Sequence, residues 1–256
     1  WKNMMKMYDG GELFLEKDSS LYDNCLQRMK EVNSLLKPIF KDAVFSNVAN
    51  SFDFKGVQNN YIRNQFEGQI DTGKMMQELI KKVQKQGVII LNNSTVETYN
   101  EQFNNVAIKT NHFEFSSAKL ILTTNGFAQQ LINEDVQPAR AQALITKPIK
   151  NLNIKGTFHL DCGYYYFRNI DNRILLGGGR NLDFDSENTT EFSQTDRIQN
   201  ALETLLKNTI LSNREFEIEH RWSGIMGVGS QKKPIVKQLS NHVYCGVRMG
   251  GMGIAI

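Results

Sequence analysis

Polar and apolar positions recur along this chain with two periods, and each stretch is read by the one it follows. Over residues 20–36, Tyr22, Leu26, Met29, Val32, Leu35 and Leu36 fall at spacings of three and four, which places them on one face of a helix. Lys37-Pro38 predicts its end or a bend, because proline disfavours helical geometry in the residue before it. A second helix is predicted from Asp71-Thr72-Gly73, where Asp71 or Thr72 can accept a hydrogen bond from a free first-turn amide. Met75, Met76, Leu79, Ile80 and Val83 form its apolar face, and Gly87 supplies the stop. Val88-Ile89-Ile90-Leu91 follows at once as an unbroken apolar run of the buried-strand type. Ser193-Gln194-Thr195-Asp196 resembles a capping box, and Ile198, Leu202, Leu205 and Leu206 give the helix after it a core face.

The remaining pattern is strand-like. Glu12-Leu13-Phe14-Leu15-Glu16 reads as a short strand behind the Gly10-Gly11 turn, while the stretch from Pro38 to about residue 66 is less regular. Strands at 95–99, 105–110 and 119–123, parted by Asn-rich turns, read as a small meander, with a short helix at 127–132 after Thr124-Asn125-Gly126. Another strand is expected from Ala139 to Lys147. Gly163 to Arg168 and Arg173 to Gly177 flank Asn169-Ile170-Asp171-Asn172 as a hairpin. Two more strands are expected at 216–228 and 243–246. Mixed helices and strands of this kind predict an α/β portion interleaved with an antiparallel α+β portion.

Composition narrows the function. Apolar residues make up 40% and charged residues 22% of the 256, with four Pro, so the chain can bury a core and general disorder is excluded. A net charge of +3 from 30 basic and 27 acidic residues argues against a nucleic-acid partner. No apolar run reaches the roughly 18 residues of a membrane span. Trp1-Lys2-Asn3-Met4 does not read as a signal peptide. Cys25, Cys162 and Cys245 fit neither a disulfide framework nor a zinc site, so a reducing, cytoplasmic location is expected. His112, His159, His220 and His242 have no metal spacing, and no nucleophile triad is legible. A first residue that is not Met and a close in Gly250 to Ile256 lead us to expect an internal piece of a longer protein.

Candidate chemistry sits in two glycine-rich segments. Gly177-Gly178-Gly179-Arg180 ends a hairpin strand, where a flat ring or a phosphate can approach bare backbone, or where the chain simply bulges. It lacks the Lys-Ser/Thr ending of a phosphate loop. Gly246-Val247-Arg248-Met249-Gly250-Gly251-Met252-Gly253 follows a strand and leads into Ile254-Ala255-Ile256. That run reads either as a helix start that stabilises an anion or as a plain strand-turn-helix. Arg168, Arg180, Arg221 and Arg248 are candidates for two-pronged carboxylate binding or for structural ion pairs. On a strand, Tyr164 and Tyr166 share a face, and one hydroxyl could hold a substrate carboxylate.

Together these pieces resemble the FAD-dependent oxidoreductases of the D-amino-acid oxidase/glycine oxidase superfamily. The carrying segments are Glu67 to Asp71, Lys119 to Gly126, Pro138 to Gln142, Gly163 to Gly179, Arg221 to Gly227 and Arg248 to Ile256. The resemblance implies an incomplete Rossmann-like FAD-binding domain interleaved with an antiparallel-sheet substrate domain that roofs the flavin. Residues 1–66 would be a substrate-domain segment and 67–127 a flavin-domain segment. Residues 128–235 would be substrate domain, and 236–256 would return to the flavin domain. It further implies FAD as cofactor, with Val96, Thr124, Asn125, Gly126, Gly250, Gly251, Met252 and Gly253 as contacts. The family's GxGxxG strand-turn-helix is missing from this sequence, so the chain alone should hold FAD poorly. Met226 stands where relatives place a carboxylate-binding Arg after the Trp-x-Gly turn, which leaves Arg180, Arg248 and Tyr166 as candidate catalytic residues.

The implied reaction is hydride transfer from the α-carbon of an amine or amino acid to FAD. The competing readings are a non-catalytic binding or assembly domain and the flavin domain of a tRNA-modifying enzyme. A homodimer covering open sheet edges is expected, with neither a metal nor a transmembrane segment.

Overall fold

Asp71 Oδ1 accepts the Lys74 amide at 3.0 Å, and the helix it caps runs from Thr72 to Lys85 and stops before Gly87, whose φ is +81°. The cap and the stop lie where the sequence predicts them. The computed structural model describes residues 5–6, 8–251 and 253. Its strands begin with β1 (Met5–Lys6), β2 (Gly10–Leu13), β3 (Phe45–Ala49), β4 (Asn60–Asn64), β5 (Gln69–Ile70), β6 (Val96–Glu101), β7 (Val106–Thr110) and β8 (Glu114–Ser117). They continue with β9 (Leu120–Leu122), β10 (Gln137–Thr146), β11 (Thr157–Leu160), β12 (Tyr165–Ile170), β13 (Arg173–Gly178), β14 (Ile218–Val228), β15 (Ile235–Gln238) and β16 (Val243–Val247). The helices are α1 (Ser19–Phe40), α2 (Thr72–Lys85) and α3 (Asp196–Leu205), the last prolonged by a π turn over Leu206–Ile210. No described helix is long and apolar enough to cross a membrane.

Two compact units are built from interleaved segments. The first comprises Trp1–Gln86, Gln142–Leu182 and Gln194–Trp222, and the second comprises Gly87–Ala141, Asp183–Ser193 and Ser223–Ile256.

The first unit is organised by an eight-stranded sheet in the order β14-β10-β13-β12-β11-β2-β4-β3. From β10 to β3 the pairings are antiparallel except the parallel β11/β2 pair. Side chains alternate across it. One face presents Leu13, Phe158, Phe167, Leu176 and Leu144 to a core completed by Ile198, Leu202 and Leu206 of the third helix and its extension. Phe158 and Phe167 stack at 5.0 Å, and Phe54 meets both edge-on at 5.3 and 5.4 Å. Each fully buried ring of this kind stabilises the fold by about 1.5–3 kcal/mol.

The second unit holds a β15-β16-β9 sheet and a β6-β7-β8 meander around Val106, Ile108, Leu122, Val136, Val243 and Val247. Within the first of these sheets β9 and β16 run parallel, with Leu120 opposite Val243 and Leu122 opposite Cys245.

Four expectations are corrected. The first helix passes through Pro38 to Phe40 and ends at left-handed Lys41, φ 63°. So near the end, proline forfeits one ladder bond rather than breaking a long run. Val88 to Leu91 form no strand and are 51, 82, 42 and 56% exposed. An apolar run becomes a strand only when a neighbour supplies hydrogen bonds, and among the described residues none does so. The third helix has no capping box, because the Thr195 hydroxyl accepts from Gln142 Nε2 at 3.0 Å while Thr195 N donates to Gln142 Oε1 at 3.0 Å. The segment at 127–132 is a 3-10 turn over Asn125–Gln130. The irregular stretch before residue 66 contains β3 and β4. The helix start expected at Ile254 to Ile256 lies outside the described residues.

Candidate active site

In the second unit, the carboxyl ends of β9 and β16 lie at the same edge because the strands are parallel, and both run directly into turns. Such an edge is where open α/β sheets bind ligands. After β9, Asn125 takes φ 46°, a geometry open to Asn but strained for most side chains. Its Oδ1 accepts the Met249 amide at 3.0 Å, tying the two turns together. Gly250 N donates to Gly227 O at 2.9 Å, bringing the end of β14 into the same cluster. A Cβ on Gly227 would stand 2.5 Å from Asn125 Oδ1, so only glycine fits there. At Gly250 and Gly251 the opposite holds: nothing lies within 4 Å of where a Cβ would be.

Arg248 is the strut of this cluster. Its Nη1 donates to the Asp135 carboxylate at 2.7 Å and to the Asp135 carbonyl at 3.0 Å, and its Nε donates to Lys233 O at 2.8 Å. The Ser230 hydroxyl and amide, with Arg248 beyond them, hold the Asp135 carboxyl below the usual carboxylate range. Val96 opens β6 half-buried, paired with Thr110. Thr124 precedes the turn, and Gly126 is buried against the Met226 carbonyl. Gly253 lies beside Met249. Met252 is outside the described residues.

In the first unit, the sheet face opposite the core is polar. Strand register sets Glu12, His159, Tyr166 and Gly177 side by side across β2, β11, β12 and β13. The Tyr166 ring lies over Gly177, where a Cβ would stand 2.5 Å from the phenol oxygen. The Glu67 carboxylate is seated over Gly10 in the same way, with Oε1 4.0 Å from His159 Nδ1. Two residues along β12, Arg168 Nη1 donates to the Ile70 carbonyl at 2.9 Å. Arg180 opens a 3-10 turn behind Gly178 and Gly179, both at positive φ. Tyr164 leaves its carbonyl to the Gly179 amide at 2.9 Å.

Desolvation governs the charges on this face. Burial, then the neighbouring Glu67 and Asp161, pushes the Glu12 carboxyl up to about 7. Burial alone raises Glu67 and Tyr166 and lowers His159, so the imidazole is neutral near pH 7. Sequence reading misses Glu12, Glu67 and His159, which are scattered over almost 150 positions. The available signal is a polar residue inside an alternating strand, Glu12 in Gly-Glu-Leu and His159 in Phe-His-Leu.

Comparison with known proteins places the fold. The chain superposes on glycine oxidase from Geobacillus kaustophilus with a TM-score of 0.78 at 12% identity, covering 98% of this chain and 67% of that one. For iminodiacetate oxidase from Chelativorans sp. BNC1 the TM-score is 0.75 at 14% identity, covering 98% and 69%. For L-proline dehydrogenase from P. horikoshii it is 0.70 at 17% identity, covering 97% and 68%. The chain thus spans about two thirds of the length of these proteins, and at such identities the likeness establishes the fold. No curated protein sequence matches significantly. The family of FAD-dependent oxidoreductases termed DAO matches residues 48–256, and with this match over most of its length the chain belongs to that family.

Proposed function

We propose that this chain carries the flavin-contacting turns and the substrate-facing sheet of an enzyme that oxidises an amine or amino acid. The observation that carries the reading is the pair of turns at the carboxyl edge of β9 and β16, locked by Asn125 to Met249 and left bare at Gly250 and Gly251. A flat ring needs side-chain-free backbone of this kind, so the residues present fit a flavin. Thr124, Asn125, Gly126, Gly250, Gly251 and Gly253 would hold it, with Val96 serving the adenine end. Bound flavin supplies the hydride acceptor that no side chain can provide.

The chain's own residues then bind and orient the substrate. Tyr166, fixed over Gly177, offers a phenol that donates a hydrogen bond, and Arg180 on the adjoining turn is the candidate for a substrate carboxylate. Arg248, braced by Asp135, shapes the flavin turn. The product is an imine, which water converts to an oxo compound.

The full-length protein should purify yellow, and its flavin absorbance should bleach anaerobically when the right amine or amino acid is added. A colourless, folded full-length protein, or one whose flavin no member of an amine and amino-acid panel reduces, overturns the reading.

A further inference from the structure

The polar sheet face is built to receive a positive charge. Glu12 and His159 are direct neighbours across the parallel β2/β11 pair, Tyr166 is next in the row, and Glu67 reaches over Gly10 to within 4.0 Å of His159. Asp161 adds a further negative charge near Glu12. Of the cations close by, Arg63 is paired with Asp9 at 3.2 Å and Arg168 points to the Ile70 carbonyl. Burial, then the Glu12 carboxylate, raises the Cys25 thiol of the first helix, and Arg28 partly offsets the rise. Two carboxylates crowded in a half-buried place cannot both ionise cheaply unless a cation joins them.

We propose that Glu12, supported by Glu67, is a catalytic residue that binds the substrate's ammonium group and takes its proton. The proposal deepens the amine-oxidation reading and rests on it. An aliphatic ammonium has a pKa close to that of lysine, about 10.4, so it is protonated at neutral pH and has no electron pair to assist hydride loss. In the proposed step an N–H bond of the ammonium breaks, its electron pair stays on nitrogen, and the proton moves to a Glu12 carboxylate oxygen. The neutral amine and the neutral carboxyl group are the products, and no oxidant is consumed. Neutral His159 and the Tyr166 phenol bring no competing positive charge.

The test uses the full-length protein and calorimetric binding of two probes, pyrrolidine as a bare secondary amine and acetate as a bare carboxylate. Pyrrolidine should bind with a limb that rises through pH about 7 as Glu12 ionises. E12Q should weaken it at least ten-fold and abolish the limb, E67Q should weaken it less, and E12D should restore part of the affinity. Acetate binding should not weaken in any of these variants. If pyrrolidine binds E12Q as it binds the parent, with the same limb, the proposal falls. Flavin bleaching separates the two readings. Glu12-dependent pyrrolidine binding without bleaching by any amine would sink amine oxidation and keep the cation site. Bleaching by an amino acid that is unchanged in rate and pH profile in E12Q would do the reverse.

Discussion

Arg140 and Glu187 form a two-pronged ion pair inside the second unit, with Nε and Nη2 donating to the two carboxylate oxygens at 3.0 and 2.8 Å and side chains only 5 and 1% exposed. The Arg140 amide also donates to the Glu187 carbonyl, and Nη1 reaches the Ser193 hydroxyl. One arginine on β10 thereby ties down Ser186, Glu187 and Ser193 of the 183–193 segment. Breaking such a pair from one side leaves an uncompensated buried charge, at a cost of about 3–5 kcal/mol. E187A should lower stability by that amount in urea unfolding followed by circular dichroism, whereas the double change R140M/E187L should recover most of it.

Gly177 and Tyr166 make a packing pair that can be tested by a double-mutant cycle. An added methyl at Gly177 meets the phenol oxygen at 2.5 Å. G177A should cost about 1–3 kcal/mol, as overpacking does, and should raise the KM for the amine in the full-length enzyme. In the Y166A background the same methyl should be close to neutral for stability.

Gly251 has open space around it, so the opposite split is expected. G251A should leave the unfolding midpoint of the full-length apoprotein unchanged within error. Flavin affinity, measured by fluorescence quenching, should fall at least ten-fold.

Asp71 is an exposed cap whose carboxyl is held below its ordinary range, first by the Lys74 amide and then by the Lys74 side chain. D71A should cost about 1 kcal/mol at pH 7. A depressed folded pKa means that the contribution is present above the unfolded carboxylate pKa, about 3.9, and is lost as pH falls through the folded value. The melting difference between the parent and D71A should therefore shrink as the pH is lowered toward 3.

Glu12 carries the opposite sign. Its folded carboxyl titrates at about 7 against 4.5 for the free group, so the folded state holds the extra proton in between. Stability then declines as pH rises from about 4.5 to about 7. E12Q should flatten that decline in melts at pH 5, 6, 7 and 8 and should be the more stable protein at pH 8.

The sequence is legible where one residue decides one boundary. Asp71 and Gly87 delimit the second helix, and the Asp171-Asn172 turn, with Asp171 at φ 51°, sets the β12/β13 hairpin and so the shared row of Tyr166 and Gly177. Legibility failed where the outcome rests on distant partners. Val88 to Leu91 spell a strand, yet pairing is settled by neighbours that a local pattern does not name. The Thr195 hydroxyl, a natural cap, is taken by Gln142, 53 residues away. Glu12 and His159 meet only because β2 and β11 pair in parallel, a register invisible from either segment alone.

Strand alternation in the first unit divides labour residue by residue. Leu13, Phe158 and Phe167 point into a tight aromatic layer, and their immediate neighbours Glu12, His159 and Tyr166 point the other way. Changes to the second set should therefore spare the first. On the proposed reading, in which the outward positions meet the substrate, its preference should be re-engineerable by swapping every other position, with the intervening hydrophobic positions serving as a chassis.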